Sequence, residues 1–425
     1  MKKLTTLVLS LLLIAGIAFG GGTKEAPTTA TGGPGEVEVL HWWTSGGEAA
    51  AVAVLKQLLE DEGHTWIDFA VAGGGGDAAM TVLKSRALAG NPPAAAQVKG
   101  PEIQLWGGVL ANLNDVAKAN DWDNILPKVV ADIMKFEGNY VAVPVNVHRI
   151  NWMWVNPDVF KQAGATIPTT WDELDAAAKK IQAAGLIPIA WGGQPWQEAT
   201  VFEIIVAGVG GTDFYTQTMI DADVSALKSP TMVKVFETLR MLLSYTDPGA
   251  PNRDWNLATS MVIKGEAAMQ FMGDWALGEF VAAGKVPDQD FIAMTAPQTE
   301  DQFIFNIDSF IMFDVEDPAN AGAQQAMARL ILEPEFQEAF NVPKGSIPVR
   351  LGMSNEPYAA PQRLAMKNFV TSAKTGDLVP SMAHGMAVMP DIRGAILDVV
   401  TNFCNSNLSA EDAASQLASA VDVVK

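Results

Sequence analysis

The stretch EVEVLHWWTSGGEAAAVAVLKQLLEDEGHTWIDFAVA, residues 36–72, decides the fold. EVEVLHWW reads as a strand, EAAAVAVLKQLLEDEG as a helix and TWIDFAVA as a second strand. DAAMTVLKSRALAG then reads as helical and AAAQV extends again, giving the order βαβαβ. Parallel neighbours need a crossover connection, so this order implies a parallel sheet with helices on its faces. Within the same stretch Trp42 and Trp43 stand side by side, followed by Gly46, Gly47 and Glu48. Consecutive strand residues point to opposite faces, so a single buried side cannot use both indoles. At the end of the first strand the chain leaves the sheet, where both rings can face a cleft and the glycines can bring Glu48 to its edge.

Similar material continues along the chain. TTWDELDAAAKKIQAAG reads as a helix opened by a capping box, Thr170 with Glu173 three residues on, and LIPIAWGG as the next strand. SPTMVKVFETLRMLLSY and TSMVIKGEAAM read as helices, AMQFMGDW as a strand breaking into a turn, and FIFNIDSFIMF as a strand. AQQAMARLILEPEFQEAF and AEDAASQLASAVDVV are helical, and no repeat of fixed period is visible. A chain of 425 residues exceeds what a single core usually supports. Its middle contains no polar linker, so the expectation is two α/β lobes joined by several short crossings.

Hydrophobic residues make up 49% and charged residues 18%, an ordinary globular balance. The N-terminus, MKKLTTLVLSLLLIAGIAFGGG, has a basic start, an apolar run from Leu7 to Phe19 and small residues after it. It reads as an export signal over residues 1–20, too short for an anchor, followed by a flexible leader over 21–36. No cysteine stands at the cleavage region, which leaves lipid anchoring unsupported, so the mature chain is expected to be soluble in the periplasm or cell envelope. The one cysteine, Cys404, cannot form an internal disulfide and reads as a small buried hydrophobe. Losing Lys2 and Lys3 with the signal takes the net charge from -20 to -22, which opposes phosphate backbones and anionic lipid. A nucleic-acid role is therefore not expected.

Phosphate-loop, zinc-protease, redox and nucleophile-elbow motifs are all missing, and one cysteine with four scattered histidines offers no metal cluster. Gly73 to Gly76 lie between a strand and a helix, but no lysine follows and Asp77 repels anions, so a tight turn or close backbone approach to a ligand fits better. Twelve tryptophans accompany only four tyrosines, and several sit in Gly or Pro turns: Trp42, Trp43, Trp191, Trp196, Trp255 and Trp275. Each alone reads as core. Repeated in polar turns, they suit a cleft lining that stacks on the C–H faces of a pyranose while nearby polar groups bond its hydroxyls. Asn306 and Asp308 alternate in FIFNIDSF and so share one face of a strand; they are either a polar strand end or ligand contacts. Lys99, Lys344, His148 and His384 are open in the same way, structural or ligand-facing.

The segments LHWWTSGGEAAA, AVAGGGG, VAVPVNVHRINWMWVN, PTTWDEL, AWGGQPWQEATVFE, RDWNLATSMVIKGEAAMQFMGDWALGEF, FNIDSF, VPKGSIPVR and SMAHG resemble the bacterial periplasmic glucose-binding proteins. These belong to family 1 of the extracellular solute-binding proteins that serve ABC importers. The likeness runs from about Val37 to the C-terminus. It implies a two-lobed α/β fold, each lobe a mainly parallel sheet flanked by helices, with the ligand cleft between. The chain would cross near Val145, Asn306 and Ser346, placing residues 37–145 and 304–345 in the N-terminal lobe and 146–303 and 346–425 in the C-terminal lobe. The resemblance implies a monomer that binds a monosaccharide, glucose above other hexoses, delivers it to permease subunits, and needs no cofactor or catalysis. Trp42 and Trp43 would pack on the sugar, Trp275 would stack from the other lobe, and Glu48, Lys99, Asn306, Asp308, Lys344 and His384 would bond hydroxyls. Gln97, His148, Gln194 and Trp255 match motifs without an assigned bond. The rivals are a secreted glycosidase, with Glu48 and Asp308 as its carboxyl pair, and a binding protein for a disaccharide or another polar solute.

Overall fold

The computed structural model describes residues 33–425. The expected signal and most of the expected leader lie outside the described residues. The first strand, β1 (Glu36–His41), is followed by helix α1 (Gly46–Asp61), strand β2 (Thr65–Ala70), helix α2 (Asp77–Leu88) and strand β3 (Ala95–Val98), the βαβαβ order read from residues 36–72 and beyond. β1 pairs in parallel with β2 and with β3. Strand β4 (Ala142–Arg149) carries the chain out of this sheet into β5 (Trp152–Val155), which belongs to a second sheet with β6 (Ile187–Ile189), β7 (Ala267–Phe271) and β8 (Ile292–Thr295). The ten-residue strand β9 (Phe303–Met312) brings it back, wholly buried, between β3 and β4. The short strands β10 (Ile347–Pro348) and β11 (Leu378–Pro380) also pair in the first sheet, against β4 and β9.

The architecture is two-lobed and α/β, with strand directions more mixed than expected. β9 runs antiparallel to both β3 and β4, β10 runs antiparallel to β4, and β5 runs antiparallel to both its neighbours. The cause is connectivity. β1, β3 and β4 run toward the cleft, so a strand that re-enters the lobe from the cleft must run the other way. Where β9 meets β4, Asn306 lies opposite His148 and Asp308 opposite Asn146, and the register shifts between Asp308 and Ser309. Such bulges re-aim side chains, and this one falls at the cleft.

Local chemistry explains most elements. The capping box at Thr170 is present: its Oγ1 accepts the Glu173 N–H at 3.2 Å, and Glu173 Oε2 accepts the Thr170 N–H at 3.3 Å. The expected helix TSMVIKGEAAM is shorter; it ends at Ile263, and Gly265 at φ +72° turns the chain into β7. A helical stretch at Pro195–Tyr215, kinked at Gly211 where φ is +75°, was not anticipated. It is buried over most of its length, so it lacks the one-sided apolar periodicity by which a surface helix is read. Cys404 is only partly buried on helix Pro390–Cys404. No described helix is long and apolar enough to cross a membrane.

α1 packs against the helices Pro318–Ile331 and Pro334–Lys344, and its Ala51, Leu55 and Leu59 side chains are fully buried. Leu55→Ala is expected to cost about 2–5 kcal/mol through lost burial and a residual cavity. The check is the denaturant midpoint, which should fall while the slope stays unchanged.

Candidate functional site

The end of β1 delivers the two indoles to the cleft with different surroundings. Trp43 packs edge-on against Phe310 at 5.6 Å and against Phe340 at 5.2 Å, so it is partly a core residue. Trp42 has the Lys99 ammonium 4.9 Å from its ring centroid. Both rings nonetheless line one cavity of about 290 Å³, together with Glu48, Gly74, Lys99, His148, Trp255, Trp275, Asn306, Asp308, Lys344 and His384. The nine principal residues named from the sequence meet there, with His148 and Trp255 from the weaker group.

Gln97 and Gln194 stand behind the cavity. Gln97 accepts the Trp42 N–H at 3.2 Å and donates to Asp308 at 3.2 Å. Gln194 accepts the indole N–H of Trp196 at 2.9 Å and donates to Asp254 at 2.6 Å. A neighbouring cavity of about 430 Å³ shares Trp42, Lys99 and His384 and is bordered by Asp77 and Arg393, whose side chains pair at 2.8 Å.

Both lobes contribute to these walls, and close backbone approach is what lets them meet. A Cβ at Gly75 would lie 2.7 Å from the Trp196 ring, and one at Gly74 would lie 3.0 Å from Trp255. Gly74 and Gly75 are therefore bare backbone laid against indoles of the other lobe, while Gly76 lies against Trp42. On the opposite side the Gly47 N–H donates to Glu279 Oε1 at 3.3 Å, joining the start of α1 to helix Ala276–Ala282.

The polar groups form linked pairs. Lys344 Nζ is 3.0 Å from Glu48 Oε1, and Lys99 Nζ is 3.8 Å from Asp308 Oδ1. His148 lies between two carboxylates: Nδ1 bonds Asp274, and Nε2 lies 3.1 Å from Asp308 Oδ2. Asp274 was missed from the sequence, although it precedes Trp275 in GDW; it accepts the Arg149 N–H at 2.8 Å and ties the Trp275 turn to the crossing strand. Burial alone would raise the Asp308 carboxyl, but the His148 hydrogen bond and the Lys99 charge hold it well below the usual range. Burial alone would lower His148, but Asp274 and then Asp308 outweigh it and raise the imidazole above its ordinary value. His384, buried near Lys99 and Arg393, is held well below that value and stays neutral.

Three carboxylates, Glu48, Asp274 and Asp308, are thus balanced by three cations, Lys99, Lys344 and His148. One polar atom stands apart: Asn306 Oδ1 is buried in the cavity wall and has no hydrogen-bond partner. Buried polar atoms are rarely left so, and a ligand hydroxyl would satisfy it. Among the described residues, no three His, Cys, Asp or Glu side chains are grouped to hold a metal ion.

A folded value raised above the ordinary 6.5 means that His148 contributes stability fully below pH 6.5, and that this is lost as pH rises through the raised value. Thermal melts between about pH 6 and 10 should therefore show a decline in the wild type that is flattened in His148→Gln, whose melting temperature starts lower.

Comparison with known proteins places this geometry among relatives. The family model of the bacterial extracellular solute-binding protein matches residues 43–328. A protein of Rhizobium meliloti (strain 1021) named probable sugar-binding periplasmic protein is 45% identical over 426 residues, covering 100% of each chain. One of the same name from Brucella suis biovar 1 (strain 1330) is 46% identical over 415 residues, 97% of this chain and 96% of the other. The fold matches the crystal structure of the bacterial solute receptor AcbH, described as having an exclusive preference for β-D-galactopyranose. That match has a TM-score of 0.76, 21% identity, and covers 92% of this chain and 99% of that one.

Proposed function

The chain belongs to the bacterial extracellular solute-binding proteins, and from that premise we propose that it is the exported sugar-binding component of an ABC importer. It closes on a neutral monosaccharide, a hexose with D-glucose first among candidates, and hands it to the membrane permease as a monomer. Residues 37–145 with 304–345 form one lobe of the reading, and 146–303 with 346–425 the other. The observation that carries it is a cavity walled by Trp42, Trp43, Trp255 and Trp275 whose neighbouring charges cancel. An anionic or cationic solute would unbalance three buried pairs, whereas hydroxyls can both donate to carboxylates and accept from ammonium groups. The names of the two relatives, both sugar-binding, support the same class.

Indoles and hydrogen-bonding groups share this one lining, as a site for a single sugar ring requires. The adjoining cavity, which shares Trp42, Lys99 and His384 with the first, favours a second reading, a disaccharide whose further ring passes Trp42 and His384. Catalysis is disfavoured on chemical grounds. A glycosidase built on Glu48 and Asp308 needs one of the two kept protonated, whereas Asp308 is held low and Glu48 lies 3.0 Å from the Lys344 ammonium. Closure belongs to the same reading: a ring resting on Trp42 and Trp43 meets Trp275 of the second lobe only when the lobes are together, so the ligand favours the closed state. Micromolar binding requires only about 8 kcal/mol net, within reach of several hydrogen bonds to charged groups at about 1.5–3 kcal/mol each.

Intrinsic tryptophan fluorescence during titration with D-glucose, D-galactose, D-mannose, D-xylose and maltose is the direct test. Saturation by a hexose with the sugar recovered unaltered is expected; product formation from an oligosaccharide, or saturation by maltose alone, overturns the monosaccharide carrier. Asn306→Ala should weaken the bound sugar about twofold to tenfold, the worth of one neutral hydrogen bond. It should leave the melting temperature nearly unchanged, because Asn306 Oδ1 bonds nothing in the protein. Trp275→Ala should weaken binding more than tenfold, and unaltered affinity would remove the stacking role.

A further inference from the structure

His384 reaches the cavity on a short turn, residues 381–384, that has almost no regular structure of its own. What fixes it is one face of the buried helix Pro195–Tyr215. Thr200 and Glu203, three residues apart and fully buried, stand one above the other on that face. Glu203 Oε1 accepts the Ser381 hydroxyl at 2.6 Å. Its Oε2 accepts the N–H groups of Met382 at 2.8 Å and Ala383 at 3.1 Å, and the Tyr215 hydroxyl lies 2.9 Å from both Oε2 and the Pro380 carbonyl. Ser381 Oγ in turn accepts the His384 N–H at 3.1 Å. One carboxylate thereby organises every backbone N–H from Met382 to His384, two directly and one through Ser381.

Thr200 decides the imidazole. A threonine hydroxyl has a single proton, and Thr200 Oγ1 donates it to the Trp196 carbonyl at 2.8 Å. Its 3.0 Å contact with His384 Nε2 can then be a hydrogen bond only if Nε2 carries the proton and donates. A neutral imidazole has one N–H, so Nδ1 is left as a lone pair, and it bonds no described residue. Burial beside Lys99 and Arg393 keeps the ring neutral.

We propose that Thr200 and Glu203 are positioning residues that present His384 to the ligand as a fixed acceptor, Glu203 by setting the turn and Thr200 by setting the Nε2–H tautomer. His384 then takes a proton-bearing ligand group, a sugar hydroxyl, and repels an acceptor-only group such as a carboxylate or phosphate oxygen at the same place. This rests on the sugar-binding reading for its ligand. It stands apart from that reading in its prediction for the imidazole, which is made for the ligand-free protein.

The test is ¹⁵N NMR of the histidine rings in the ligand-free full chain at pH 8, where the Glu203 carboxyl, raised by burial to about 7, is ionised. His384, identified by its loss in His384→Gln, should show a protonated Nε2 and a lone-pair Nδ1. Thr200→Val keeps shape and removes the acceptor; its spectrum should move toward a tautomer mixture, with D-glucose affinity lowered about threefold to tenfold. Glu203→Gln replaces one acceptor oxygen with an NH2, cannot accept from both Ser381 and the Met382 and Ala383 N–H groups, and should broaden or shift the same signals; if it fails to fold, Thr200→Val still decides. A protonated Nδ1 or an imidazolium in the wild type overturns the proposal, as does a Thr200→Val spectrum and affinity identical to the wild type. Failure of every hexose to bind the wild type would instead defeat the sugar reading and leave the tautomer result to be judged on its own.

Discussion

The negative charge of Asp308 is fully enclosed, and the site is arranged around the need to compensate it. An isolated carboxylate cannot be taken out of water without several kcal/mol of cost, so it must find charge and donors in the fold. Gln97, His148 and Lys99 meet it from β3, β4 and the turn after β3. Each partner fixes something else. Gln97 also holds the Trp42 N–H, His148 also holds Asp274 before Trp275, and Lys99 lies over the Trp42 ring. One carboxylate on the returning strand thus sets the distance between the indoles of one lobe and the indole of the other.

That arrangement explains how a site so rich in charge suits an uncharged ligand. The lysines, the protonated His148 and the three carboxylates neutralise one another, and they stay polar toward anything that both donates and accepts. His384 is the exception, kept neutral by burial and neighbouring cations, and the opposite charge states of the two histidines follow from their neighbours alone. The glycine turn 73–76 contributes through its bare backbone. Side chains there would hold the lobes apart, so bare backbone lies against Trp196 and Trp255.

Much of the site was legible because its signals are local. Tryptophans in polar turns marked Trp42, Trp43, Trp255 and Trp275, and the alternation in FIFNIDSF put Asn306 and Asp308 on one face. Trp196 was noticed among the turn tryptophans but not as part of the wall between lobes, because its partner is a glycine backbone 121 residues earlier (196 − 75). Asp274 stood in the GDW turn and Thr200 and Glu203 in AWGGQPWQEATVFE, but nothing local marked what they do. Their partners lie 126, 184 and 178 residues away for His148, His384 and Ser381, and no spacing rule spans such intervals.

The sequence by itself determined the βα units, the Thr170 capping box and the shared face of Asn306 and Asp308, because helix and strand periods and caps depend on residues a few positions apart. Only the tertiary structure decided that β9 runs antiparallel to its neighbours, since direction in a sheet depends on where the chain re-enters the lobe. It also decided that Trp43 is half core while Trp42 borders two cavities, and that Asp274 and Asp308 raise the His148 imidazole above its ordinary value while burial and nearby cations push His384 well below it. A proton's place is set by burial and by charges brought together from distant parts of the chain, and those exist only once it has folded.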